Sequence, residues 1–270
     1  MGFEFKDRYT VDDLVEILKI LRGPNGCPWD KAQTHESIRR NLIEETYEVV
    51  EAIDQQDSSM MKEELGDLLL QVVFHAQLKS EQADFDFDDV CNGICQKLVY
   101  RHPQIFSDVS AATPEEALAT WEGMKKIEKN QITATNTLEQ VSKALPALMY
   151  SEKVQKRAAK TGFDYDSAEG AAKDLESELL ELKEAVQEKN SEAVFEEFGD
   201  LLFSCVNLSR FLAVDAEKAL YDSTVKFIGR FAEMERLATE RGMVLEETEL
   251  SVLNSLWTEA KNIHKNFGGK

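Results

Sequence analysis

Two stretches of this chain, EELGDLLLQVV at 63–73 and EEFGDLLFSCV at 196–206, share seven of eleven residues at an offset of 133. The offset also carries Glu45 onto Glu178, Glu48 onto Glu181, Glu51 onto Glu184, Glu64 onto Glu197 and Asp67 onto Asp200. In both halves the leading acids, Glu45 and Glu64 or Glu178 and Glu197, stand 19 residues apart. Solvated charge has no need of such a fixed interval, so the repeat points to a duplicated unit whose acids work together. Less strict echoes extend the match: PWDK at 28–31 answers GFDY at 162–165, KLVYR at 97–101 answers KFIGR at 226–230, and WEGMK at 121–125 answers WTEAK at 257–261.

A chain of 270 residues, 43% hydrophobic, can bury one large core or two ordinary ones, and the repeat favours two. All five prolines lie between Pro24 and Pro146, and the rest reads as 3.6-period segments rich in Leu, Ala, Glu and Lys. The expected class is therefore all-α, a tandem repeat of two helical bundles at 1–128 and 142–270, joined by a polar linker at 129–141. Expected helices run over 11–22, 36–55, 59–82, 87–100 and 114–129, then 142–160, 167–189, 191–212, 215–240 and 249–265. Asp30 and Thr34 signal the start of the second of these, and Thr113 with Pro114 the start of the fifth.

On a helix, Glu45 and Glu48 share a face, as do Glu64 and Asp67 on the next segment, and the short connection makes the two segments antiparallel neighbours. Leu42, Val49, Leu65 and Leu68 are interleaved with these acids, which places some carboxylates near the packed seam. Carboxylates converging there repel one another and lose hydration unless a cation joins them. An all-oxygen set without His or Cys suits a hard ion such as Mg²⁺, which keeps coordination places for water and phosphate. A di-iron carboxylate bundle also wants Glu-x-x-His, which is absent from the sequence.

The i,i+4 pairs Lys97/Arg101 and Lys226/Arg230, with Trp121/Lys125 and Trp257/Lys261, offer cations for phosphate and rings for a base or sugar. No phosphate-binding glycine loop of the P-loop or dinucleotide type occurs. His35, His75, His102 and His264 form no nucleophilic constellation, and the four cysteines, Cys27, Cys91, Cys95 and Cys205, show no zinc spacing and are expected reduced and mostly buried. With 51 acidic against 31 basic residues, the net charge of -20 argues against nucleic acid or anionic lipid as partners; an anionic ligand would need a mediating cation. The opening MGFEFKDRYTVDD lacks the layout of a secretory signal and no apolar stretch is long enough for a span, so a cytoplasmic protein is expected.

EETYE at 44–48 followed by ELGD at 64–67, with GCPWDKAQTH at 26–35 upstream and RHPQIF at 101–106 downstream, resembles the MazG family of nucleoside triphosphate pyrophosphohydrolases in its two-domain form. The resemblance implies an all-α homodimer that uses Mg²⁺ to convert a nucleoside triphosphate and water to the monophosphate and pyrophosphate. It implies Glu44, Glu45, Glu48, Glu64 and Asp67 as a complete acidic motif. In the second half it implies Glu178, Glu181, Glu197 and Asp200, with Ser177 where the leading Glu would stand. Glu45 or Glu178 is the candidate base. Lys226, Arg230, Trp257, Asn207 and Lys261 are implied as nucleotide contacts, and Phe74 stands opposite Asn207, so the two pockets need not be equivalent. The competing readings are a non-catalytic helical module binding a metal–nucleotide or a protein, and a bundle whose acids are merely solvated.

Overall fold

The computed structural model describes residues 3–128 and 133–267, apart from the side chains of 264–267. The described residues are helical, with no strand among them, and no helix is long and apolar enough to cross a membrane. The chain divides into two compact units, residues 1–129 and 130–270.

Unit 1 holds α1 (Val11–Arg22), α2 (Pro28–Ala32), α3 (His35–Gln55), α4 (Ser58–Ser80), α5 (Phe87–Arg101), α6 (Pro103–Phe106) and α7 (Pro114–Glu128). Its centre is an antiparallel α3/α4 pair whose geometry is written in the connection. Gln56 ends α3 in the left-handed region at φ 54, and Asp57 caps α4 by accepting from the Ser59 and Met60 amides. α1 docks on α4, burying Leu18, Ile38, Val73, Phe74 and Leu78 together. α5 leans on α4 and α7.

Unit 2 repeats the plan with α8 (Ala134–Glu139), α9 (Ala147–Ala159), α10 (Ala168–Glu188), α11 (Ser191–Phe211), α12 (Ala216–Glu240) and α13 (Leu250–Phe267). α10 ends at Lys189, φ 57, and Asn190 caps α11, so the turn is reproduced at the same offset. α9 takes the place of α1 against α11. α12 packs on α13 around Met234, Leu237, Ala238, Leu256 and Ala260.

The expected long helices all form, with instructive differences. The segment expected from 142 becomes α-helical only at Ala147, because Pro146 lacks an amide proton and sits at the N-cap after a turn closed by Leu145 N–H on Ser142. Part of the expected linker is α8, capped by Thr133 and packed on α9; residues 129–132 lie outside the described residues. Thr34 and Thr113 cap as expected, but Asp30 lies inside α2. The four thiols are free, yet Cys95 and Cys205 are exposed, because they lie on helix faces that the single chain leaves uncovered.

Candidate functional site

The α3/α4 turn sets the register of the seam, and that register brings Glu45, Glu48 and Glu64 together. One carboxylate oxygen of each lies within 4.8 Å of the others. In unit 2 the corresponding helices gather Glu178, Glu197 and Asp200 within the same distance. Asp67 and Glu181 stand outside these triads but press on them electrostatically. Burial first, then the Asp67 and Glu48 charges, raise the Glu45 carboxyl above the ordinary carboxylate range. Burial and the charges of Glu48, Glu63 and Asp67 do the same to Glu64. Glu178 is raised by burial, Glu181, Asp174 and Asp200, and Glu197 by burial, Glu181 and Asp200.

Two half-buried carboxylates and one exposed carboxylate crowded in each triad resist simultaneous ionisation and make a site short of positive charge. The donors are all oxygen, on two helices, with neither His nor Cys in either triad. This set fits Mg²⁺, a hard ion that takes a few carboxylates and leaves its remaining places to water and phosphate.

The other residues singled out in the sequence fall into two groups. In unit 1, Arg101 is buried, donates from Nε to Glu128 at 2.7 Å and lies 5.3 Å from the Trp121 ring centre, which Lys125 Nζ approaches to 4.7 Å. Its basic and aromatic residues therefore complete one another. Lys97 is exposed on α5, and Glu44 accepts from Arg40 on the outside of α3. In unit 2, Trp257 packs on Phe227 at 5.1 Å, Lys226 is exposed, Lys261 is half-buried, and the Arg230 Nε is buried without a hydrogen-bond partner. Asn207 Oδ1 accepts from Arg210 Nη1 at 2.6 Å, so the Asn207 amide nitrogen is left to face other groups.

A model described as the MazG nucleotide pyrophosphohydrolase domain matches residues 33–106 and again 167–234, each match enclosing one carboxylate triad. The chain belongs to the MazG family. It is 46% identical to the nucleoside triphosphate pyrophosphohydrolase/pyrophosphatase MazG of Thermotoga maritima over 93% of this chain and 95% of that protein. It is 41% identical to the nucleoside triphosphate pyrophosphohydrolase of Escherichia coli K12 over 93% of this chain and 97% of that one. A solved structure of a mazG-related protein from Thermotoga maritima aligns at 28% identity with a TM-score of 0.37, covering 43% of this chain and 98% of that one.

The two MazG repeats differ in the layer next to the acids, which the sequence reading overlooked. One turn beyond Glu178 and Asp200, the Ser204 hydroxyl donates to Asp174 at 2.8 Å, with the Tyr165 hydroxyl beside the same carboxylate. At the equivalent places the first MazG repeat has Asn41 and Gln71, and the Gln71 Oε1 is buried without a partner. The signal was available: aligned at the offset of 133, Asn41 becomes Asp174 four residues before Glu178. Also unforeseen is the contact of His35 and His75, Nδ1 to Nδ1 at 2.8 Å with rings 3° from parallel, joining the start of α3 to α4. Burial first, then the His35 charge, lower the pKa of His75.

Proposed function

We propose that this protein hydrolyses nucleoside triphosphates between the α and β phosphates, with Mg²⁺ held by the acids of a helix pair. The observation that carries the reading is that the matching helix pair of each repeat gathers three carboxylates within 4.8 Å, Glu45, Glu48 and Glu64 in the first and Glu178, Glu197 and Asp200 in the second, with Glu45 and Glu64 recurring as Glu178 and Glu197. The matches to named pyrophosphohydrolases over most of the chain support the same reaction.

Glu45, Glu48, Glu64 and Asp67 would hold the ion in the first repeat, and Glu178, Glu181, Glu197 and Asp200 in the second. Mg²⁺ bound there supplies neutralisation of the triphosphate and a more acidic water. The chain's own contribution is positional. The two helices fix the carboxylates before substrate arrives, so little reorganisation remains at the moment of reaction. Glu45 or Glu178, whose proton affinity burial and neighbouring charge raise, accepts a proton from the attacking water. The water oxygen bonds to the α-phosphorus, the bond to the α–β bridging oxygen breaks, and pyrophosphate leaves with the electron pair. Arg230, Lys226 and Lys261 supply positive charge for the phosphates, Trp257 a ring face for the nucleoside, and Asn207 an amide donor. In the first repeat Lys97, Lys125 and Glu44 would line the corresponding side, while Arg101 and Trp121 brace α5 against α7.

Both units leave apolar residues on the acidic helix pairs exposed, Ile43 at 51%, Tyr47 at 53% and Leu65 at 49% among them, which supports pairing of two copies as a homodimer. The deciding experiment is incubation of each nucleoside triphosphate with Mg²⁺ and separation of the products. Monophosphate and pyrophosphate in equal amounts are expected; diphosphate and inorganic phosphate as sole products would overturn the cleavage position.

A further inference from the structure

The α10/α11 seam can be followed layer by layer, because Glu181, Glu178 and Asp174 recur along one face of α10, as Glu197, Asp200 and Ser204 do along the facing stripe of α11. The third layer is thus an anion in the second repeat and a pair of neutral amides, Asn41 and Gln71, in the first.

Asp174 is not a stray surface acid. It is half-buried, its Oδ2 accepts from the buried Ser204 hydroxyl at 2.8 Å, and the Tyr165 hydroxyl lies beside the same group. Tyr165 is itself anchored. Its ring meets Phe211 at 6.4 Å, and the preceding Asp164 is gripped by Arg210 through two contacts at 2.7 and 3.3 Å. The Tyr165 hydroxyl is pushed up to about 12, by burial first and then by its bond to Asp174, so it remains a donor at neutral pH.

A carboxylate wedged between two donors one turn from a triad does nothing for helix packing that a neutral Asn could not do. It does extend the negative potential of that seam beyond what the first repeat provides. We propose that Asp174 is a positioning residue for the cation of the second repeat, held by Ser204 and Tyr165, and that it makes this site bind a divalent ion more tightly than the site of the first repeat. This inference rests on the reading of the triads as cation sites. Asp174 acts from one turn away: its charge bears on Glu178 and deepens the field at the triad. The energetic scale is that of outer partners in metal sites, where removal costs about tenfold to a hundredfold in affinity.

The test uses the full chain and Mn²⁺, followed by electron paramagnetic resonance, with each repeat silenced in turn. In a Glu45→Gln/Glu64→Gln background, which leaves only the second site, Asp174→Asn should weaken Mn²⁺ binding by about tenfold and Ser204→Ala by a smaller factor. In a Glu178→Gln/Glu197→Gln background, Asn41→Asp should tighten the first site, a gain that no loss of folding can mimic, with the Gln71 amide available as donor. Mn²⁺ binding in both backgrounds that Asp174→Asn and Asn41→Asp leave within about twofold would overturn this inference alone. Absence of Mn²⁺ binding from both would overturn the cation reading, and this inference with it.

Discussion

Arg22 grips both carboxylate oxygens of Glu81 across 59 positions of chain, Nε on Oε1 at 2.7 Å and Nη2 on Oε2 at 2.8 Å. Its side chain is 6% exposed, and the same guanidinium covers the Phe74 ring at 5.3 Å and donates to the Asp30 and Gln33 carbonyls. One side chain thus ties α1, the Pro-Trp-Asp-Lys turn and the end of α4 together, and the fork geometry makes the pair stronger than an ordinary surface bridge. Arg22→Ala should cost about 2–4 kcal/mol in urea unfolding, since it removes a buried anchor with several partners. Glu81→Gln should cost about 1 kcal/mol, a smaller figure because the Glu81 side chain is 36% exposed. The hydrogen bond from Arg22 is the chief cause holding the Glu81 carboxyl below its ordinary 4.5. A depressed acid stabilises the fold above 4.5 and loses that effect as pH falls through the lower folded value. The difference between wild type and Glu81→Gln should therefore be full at pH 7 and shrink below about pH 4.5.

Two glycines of unit 1 should respond to alanine with opposite signs. A Cβ on Gly26 would lie 2.1 Å from the Leu21 carbonyl oxygen and 2.5 Å from that of Ile20, both backbone atoms that cannot step aside. Gly26→Ala should therefore lower stability by about 2–4 kcal/mol, read by chemical unfolding. A Cβ on Gly66 meets nothing within 4 Å, and the same holds for its repeat partner Gly199. In a helix interior each should gain about 0.5–1 kcal/mol on change to alanine. A loss at Gly66 instead would mean that a second copy of the chain fills that space.

How far the sequence foretold all this depends on how local the cause was. The α3 and α10 helices were legible because their apolar spacing, and Thr34 as a cap, act within a few residues. The convergence of acids on the α3/α4 and α10/α11 seams was legible because duplication shows Glu45 with Glu64 a second time as Glu178 with Glu197. What escaped was set by contacts distant along the chain: Glu81 as the partner of Arg22, His75 as the partner of His35, and Ser204 facing Asp174 over 30 positions. Composition hid α8 as well, since ATNTLE carries little apolar periodicity and relies on Thr133 to start it and α9 to support it. Asp67 and Glu181 lie just outside the 4.8 Å groups, a difference of distance that the spacing of the acids along the chain does not encode.

The acids also make a prediction about the metal-free protein. Glu45 and Glu178 have folded values raised above 4.5, so the folded chain takes up protons more readily than the unfolded one. A raised acid destabilises the fold at neutral pH, and the penalty is relieved as pH falls toward 4.5. With metal chelated, the melting temperature should thus rise as pH is lowered from 7 to about 5.5, and Glu45→Gln should raise it at pH 7. Saturating Mg²⁺ should abolish both effects, because an ion bound only to the native state replaces the missing positive charge. Scanning calorimetry with and without chelator measures both signs; a metal-free protein that melts lower at pH 5.5 than at 7 would contradict the account of the triads.

The repeats should also differ in turnover, and the reason is where each arginine is committed. Arg101 has Glu128 at 2.7 Å and the Trp121 ring beneath it, whereas the Arg230 Nε is buried with no partner of its own. Phe74 belongs to the apolar core beside Leu18 and Ile38, whereas Asn207, at the same place in the second repeat, keeps an amide. The second repeat therefore has charge and polarity to spare for a triphosphate, and the first has used its own for packing. Asp200→Ala should reduce turnover of a nucleoside triphosphate by at least about a hundredfold, as loss of a group that positions the reacting phosphate does. Asp67→Ala should leave turnover within about threefold of wild type, a difference under 1 kcal/mol in the barrier. Steady-state pyrophosphate release from the two variants decides the matter: equal losses would assign the chemistry to both repeats, and loss at Asp67 alone would reverse the assignment.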